Sequence, residues 1–233
     1  MGEYFYYANI KTTVCNDTLC QLVLLKVFWD LAGNFTRFDT LQGKPLTKND
    51  HIPFTSQDYE KLHYTLIDET SILGNKTKDE LLDKDRSRYS AKIDGVTGAT
   101  AQEIKSAVVE GALYSTYTLW HLANGTIKGL IRKHTLSRYN DKIRQQLLKS
   151  DNPPTIIFGL KNLDEKFYYE QFDQIVDLLK FGNPLVNFYL AKKIPEGVFT
   201  IQKNRTSIEE IWHSFDRNTQ SILLKYIESD LDK

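Results

Sequence analysis

The chain has 233 residues, with 30 basic and 30 acidic side chains, 41% hydrophobic and 12% aromatic residues, and two cysteines. That length buries the core of one large domain or two small ones, and the composition excludes a disordered chain. Zero net charge, split as −3 over residues 1–125 and +3 over 126–233, excludes the strongly cationic face of a nucleic-acid binder.

No run reaches the roughly 18 uncharged apolar residues of a membrane span; the longest apolar region, 107–123, carries Glu110 and His121. The opening Met-Gly-Glu-Tyr-Phe-Tyr-Tyr has neither the basic start nor the apolar run of a secretory signal. It fits a cytoplasmic chain or a mature fragment with a replaced start.

Residues 11–14 and 21–29 flank Asn16-Asp17, and Leu31-Ala32-Gly33-Asn34 turns into 35–38, which predicts an antiparallel meander. Thr55 or Ser56 caps a helix whose Tyr59, Leu62, Leu66 and Ile67 share one face. The charged stretch 75–88 reads as a solvated loop with a short helical turn. Thr100 and Glu103 then form a Thr-x-x-Glu capping box. Ile104, Val108, Gly111, Ala112, Ser115, Leu119 and Leu122 follow at helical spacing until Asn124-Gly125 supplies a stop. One long helix over about 101–123 is expected, its Gly111, Ala112 and Ser115 admitting a neighbouring backbone.

Beyond Gly125 every periodic segment is helical: 128–149, 154–163, 165–181, 184–194 and 207–229, the last broken near Asp216. A match at an offset of 30 pairs Pro154 with Pro184, Ile156 with Val186, Phe158 with Phe188 and Leu160 with Leu190, the pattern of stacked helical hairpins. The expected architecture is α+β: an antiparallel sheet packed on a long helix over 1–125, then an all-α helical-repeat domain over 126–233.

Hydrolase and nucleotidase signatures are absent: there is no Gly-x-Ser-x-Gly, phosphate loop or His-Glu-x-x-His. His51 and His63, beside Asp50 and Asp58, offer acid–base chemistry or ordinary surface and core roles. Cys15 and Cys20 supply two thiols where structural zinc takes four ligands; they read as a hairpin disulfide, a reduced pair or a redox pair. No metal site is expected.

The informative stretch is Asp94-Gly95-Val96-Thr97-Gly98-Ala99-Thr100. Gly95 and Gly98 permit backbone conformations closed to other residues, Thr97 and Thr100 present hydroxyls, and a helix start directs free amides to the same place. Those features suit a phosphate, or a Gly-rich turn with a Thr cap.

This stretch resembles the flavinylation motif of the FMN-binding domain family, found in subunits of sodium-pumping and related membrane redox complexes and in other exported bacterial flavoproteins. The resemblance implies FMN esterified through its phosphate to Thr100 by a separate flavin transferase, with Asp94, Gly95, Thr97, Gly98 and Ala99 as the recognition stretch. It covers seven residues by motif and about 90–125 by strand, turn and helix. Ala101, Gln102 and Glu103 stand where members often carry another Ser or Thr. Residues 29–35 and 51–55 do not reproduce the family's Gly-Tyr-x-Gly and His-Glu-Thr-Pro-Gly-like segments.

The C-terminal helices resemble HEAT-type repeats, which implies a surface for a protein partner; completing the core of the first domain is the other reading. Lys128, Arg132, Lys133, Arg138, Lys142, Arg144 and Lys149, against Asp141, make a basic helical face that is solvated or meets an acidic partner or anionic lipid. Five Asn-x-Thr sequons begin at Asn16, Asn34, Asn75, Asn124 and Asn204; they matter in a eukaryotic secretory pathway alone. The expected function is an exported, periplasmic or cell-envelope FMN-binding-like electron-transfer protein. The alternative is a non-catalytic interaction module with a degenerate flavin domain.

Overall fold

Alternating side chains build the first three elements, β1 (Tyr6–Thr12), β2 (Val23–Trp29) and β3 (Phe35–Thr40), which pair antiparallel in the order β1-β2-β3. The expected meander is present. In the computed structural model, residues 3–13, 22–41, 43–48, 51–81 and 102–228 are described. Tyr6 lies opposite Trp29 and Thr12 opposite Val23. Tyr6, Ala8, Ile10, Val23, Leu25, Val27 and Trp29 face the core, as the two-residue period requires. Phe35 and Phe38 are an odd number of residues apart, yet both join that core. A register slip between Phe28 and Trp29 makes this possible.

Helix α1 (Ser56–Ile67) starts at a capping box in which Thr55 and Asp58 exchange hydrogen bonds. Leu62 and Leu66 are buried in the core, while Ile67, expected on the same face, ends the helix 47% exposed. Lys61 Nζ donates to the Ser106 carbonyl, tying α1 to the segment that follows the next helix.

The long helix expected over 101–123 is two elements. Helix α2 (Gln102–Lys105) is a single turn and α3 (Leu113–Asn124) is separate. Between them the backbone turns through Ala107 N–H to Ile104 O and Ala112 N–H to Val109 O, and Gly111 takes φ 77°. That left-handed conformation ends any continuous helix and suits glycine. The turn also buries Val108 and Val109 together. Thr116 Oγ1 closes it, accepting from Val109 N–H and donating to Ala112 O.

Helix α4 (Thr126–Ser137) completes the first unit. Ile131 enters the same core, Arg132 Nε donates to Ala32 O at 2.9 Å and Thr135 Oγ1 donates to Leu31 O at 2.7 Å. The helix expected over 128–149 therefore stops at Arg138. Asn140 caps a new helix, α5 (Asp141–Leu148), by accepting from Ile143 N–H. The chain divides into compact units at this break, Met1–Arg138 and Tyr139–Lys233.

The second unit is all helix: α5, α6 (Pro153–Lys161), α7 (Glu165–Glu170), α8 (Phe172–Phe181), α9 (Pro184–Ala191), α10 (Gln202–Glu210) and α11 (Arg217–Glu228). The segment expected as one helix over 165–181 breaks at Gln171, whose φ −123° and ψ 35° leave the helical region. The break at Asp216 is present: its carboxylate accepts from Asn218 N–H, Thr219 N–H and the Thr219 hydroxyl. Helices α6 and α9 both begin with proline in the first turn and pack on each other. Ile156, Leu160, Val186 and Leu190 lie in their common core. Among the described residues no helix is long and apolar enough to cross a membrane.

Candidate functional site

Asp94, Gly95, Thr97, Gly98, Ala99 and Thr100 lie outside the described residues, as do Cys15 and Cys20. The described residues that follow the motif in sequence begin at Gln102. Ile104 is fully buried and anchors α2 in the core. Glu103 is exposed and accepts from Lys76 Nζ at 2.5 Å. That hydrogen bond holds the Lys76 ammonium above its usual range. Glu103, three residues past Thr100 in sequence, is thus paired with a cation. The helix behind the motif is one turn long, so the strong dipole expected from a helix over 101–123 is not supplied by α2; the macrodipole needs aligned peptides over several turns.

Lys76 is held in place from α3. Four side chains of that helix reach backbone carbonyls that run from the last turn of α1, through the 3₁₀ turn Ile72–Asn75, to Lys76. Asn124 Nδ2 donates to Leu66 O, Trp120 Nε1 to Asp68 O, His121 Nε2 to Leu73 O and Tyr117 Oη to Lys76 O, all at 2.9–3.0 Å. A carbonyl only accepts, so His121 carries its proton on Nε2. The reason is accounting: irregular backbone against a core must find donors somewhere. The Tyr117 ring also packs tilted against His121, at 4.3 Å between ring centroids and 55° between planes. Burial and the nearby Glu80 charge push the Tyr117 hydroxyl above the usual tyrosine range. None of these contacts was legible in the sequence, because the partners are 41–58 residues apart.

The histidines flagged by their acidic neighbours do not form an acid–base pair with Asp58. That carboxylate is occupied as the cap partner of Thr55 and by an ion pair with Lys48 at 2.8 Å. Burial alone would raise it, but the hydrogen bonds from Lys48 and Thr55 outweigh burial and hold it below the usual carboxylate range. His63 sits beside the Phe35 and Phe38 rings as part of the packing. His51 is exposed, with φ 58°.

Residues 30–34, between β2 and β3, form a turn held by its own hydrogen bonds. Asp30 accepts from the Ala32 and Asn34 amides and from Asn34 Nδ2. Gly33, at φ 75°, admits the Lys128 backbone so closely that a Cβ would lie 2.8 Å from its carbonyl oxygen. Nearby, Thr135 Oγ1 gives its proton to Leu31 O and so accepts from Tyr6 Oη, which in turn accepts from His134 Nδ1–H. This three-member chain binds β1 to α4.

The basic run is partly engaged within the protein. Lys128 pairs with Glu69, Arg132 bonds Ala32 O, and Arg144 pairs with Asp141 while lying over the Phe167 ring. Among the described residues no three His, Cys, Asp or Glu side chains converge as a metal site. No protein-family model, curated protein or solved structure matches the chain.

Proposed function

We propose that the first unit is an FMN-binding-like module of an exported bacterial protein, with Thr100 as the residue esterified to the FMN phosphate by a flavin transferase. The observation that carries this reading is the Asp94–Thr100 stretch, with its two glycines and two hydroxyls in the order of the flavinylation motif. The Lys76–Glu103 pair supports it, since an unpaired carboxylate three residues past the acceptor would repel a phosphate. When bound, FMN would supply the electron transfer, while the chain supplies position and electrostatics. The second unit, read as a HEAT-like repeat and supported by the packing of α6 on α9, would present a surface to a protein partner in the periplasm or cell envelope.

Co-expression with a flavin transferase tests this directly. The expected product is yellow, with an intact-mass increment of one FMN-yl group that Thr100→Ala abolishes. An unmodified wild-type mass together with no FMN binding overturns it.

A second reading is favoured by the single-turn α2: the motif persists as a turn in a non-catalytic interaction protein. It predicts an unmodified chain whose partner is retained by residues 139–233 alone.

A further inference from the structure

Among the described residues, strand β1 lies at an edge of the sheet and is seven residues long, without proline or bulge. Natural edges are blunted by charge, proline or bulges, because unpaired N–H and C=O groups template another strand. The opposite edge follows that rule: β3 carries the register slip against β2 and the Arg37–Asp39 ion pair. Strand β1 carries one charge, Lys11, and on its outward face Tyr7 joins Phe5, which immediately precedes the strand, in an exposed aromatic patch. Phe5 is 56% and Tyr7 57% exposed, and their rings cluster with Phe28 at centroid distances of 5.8–6.5 Å. Lys26 Nζ sits 4.3 Å from the Tyr7 centroid and the Arg37 guanidinium 3.6 Å from that of Phe28, so both cations are already spread over rings.

We propose that this edge pairs with the β1 edge of a second copy, antiparallel about a two-fold axis through Tyr7, giving a continuous six-stranded sheet. The occupant is read from charge. With the axis at Tyr7, exposed Glu3 lies opposite exposed Lys11 of the second copy, and by symmetry this ion pair forms twice. Pairing extends the strand back through exposed residues 3–5, which precede β1; on that two-residue period Tyr7 meets its own equivalent, Phe5 meets Asn9, and all stand on the outward face with Glu3 and Lys11. An axis moved to Asn9 keeps the faces matched but separates Glu3 from Lys11. The segment 3–11 is therefore complementary to itself in one register, which a foreign strand would match only by chance.

The test is the oligomeric state of the full chain by analytical ultracentrifugation over a concentration series. A concentration-dependent dimer is expected. Glu3→Lys or Lys11→Glu places like charges opposite at both ends and should weaken dimerisation by about tenfold, and the double reversal should restore it. In a Cys15→Ser/Cys20→Ser background, oxidised Tyr7→Cys should crosslink to a dimer, since directly opposed Cα atoms lie within disulfide reach, while Asn9→Cys should not. A monomer at every concentration, including one that captures a different protein's strand, overturns the proposal. A dimer indifferent to both single reversals, or crosslinked through Asn9→Cys instead of Tyr7→Cys, also overturns it.

Discussion

Asp58 shows how one side chain can make a helix start depend on pH. Its folded carboxyl lies below the ordinary value of 3.8 because Lys48 and Thr55 hold the charged form against the cost of burial. A carboxylate lowered by folding contributes stability above its unfolded value and loses that contribution as pH falls through its folded value. The melting-temperature gap between wild type and Asp58→Asn should therefore be full at neutral pH and narrow below about pH 3.8. Removing the cap itself, Thr55→Ala, should cost about 1 kcal/mol in denaturant titrations at pH 7. Tyr168 works at the other end of the scale. Burial, with a smaller push from Tyr189, raises its hydroxyl from 10.0 to about 12. Its contribution is full below pH 10 and is lost as pH rises through the folded value, since the unfolded chain ionises first. Tyr168→Phe should shrink the loss of helical circular dichroism between these two pH values.

At the scale of elements, the connection from Asp68 to Lys76, with its 3₁₀ turn Ile72–Asn75, is held by α3. Trp120→Phe keeps a ring in place but leaves Asp68 O without its indole donor, and should cost about 1–2 kcal/mol. Gly74→Ala would bring a Cβ to 2.6 Å from Trp120 Cη2, an overpacking worth about 1–3 kcal/mol. Urea unfolding of each variant reads these losses. The same elements show what a sequence discloses. The meander, the cap at Thr55 and the break at Asp216 were legible because each is written in neighbouring residues: alternation, a capping box, a carboxylate followed by hydroxyl and amide donors. The break before α3 was not. Ile104, Val108, Ser115 and Leu119 keep helical spacing across it, and periodicity carries no sign of the positive φ at Gly111. The candidate site divides in the same way. Its motif is legible as a string of residues, whereas Lys76, which neutralises the flanking Glu103, lies 27 residues away and has no local signature.

At the scale of the whole molecule, each unit owns a core. Leu160, Phe172, Ile175, Val186, Leu190, Phe199 and Leu223 belong to the second alone. A fragment of residues 139–233 should fold by itself, with a helical spectrum and a cooperative thermal transition; a featureless melt would refute that independence. The first unit is less forgiving of where it is cut. Helix α4 fills its core with Ile131 and satisfies the Leu31 and Ala32 carbonyls through Thr135 and Arg132. Anyone expressing the sheet alone for crystallography should accordingly end the gene at codon 138. Stopping at the inviting Asn124-Gly125 turn would yield inclusion bodies instead of diffracting material.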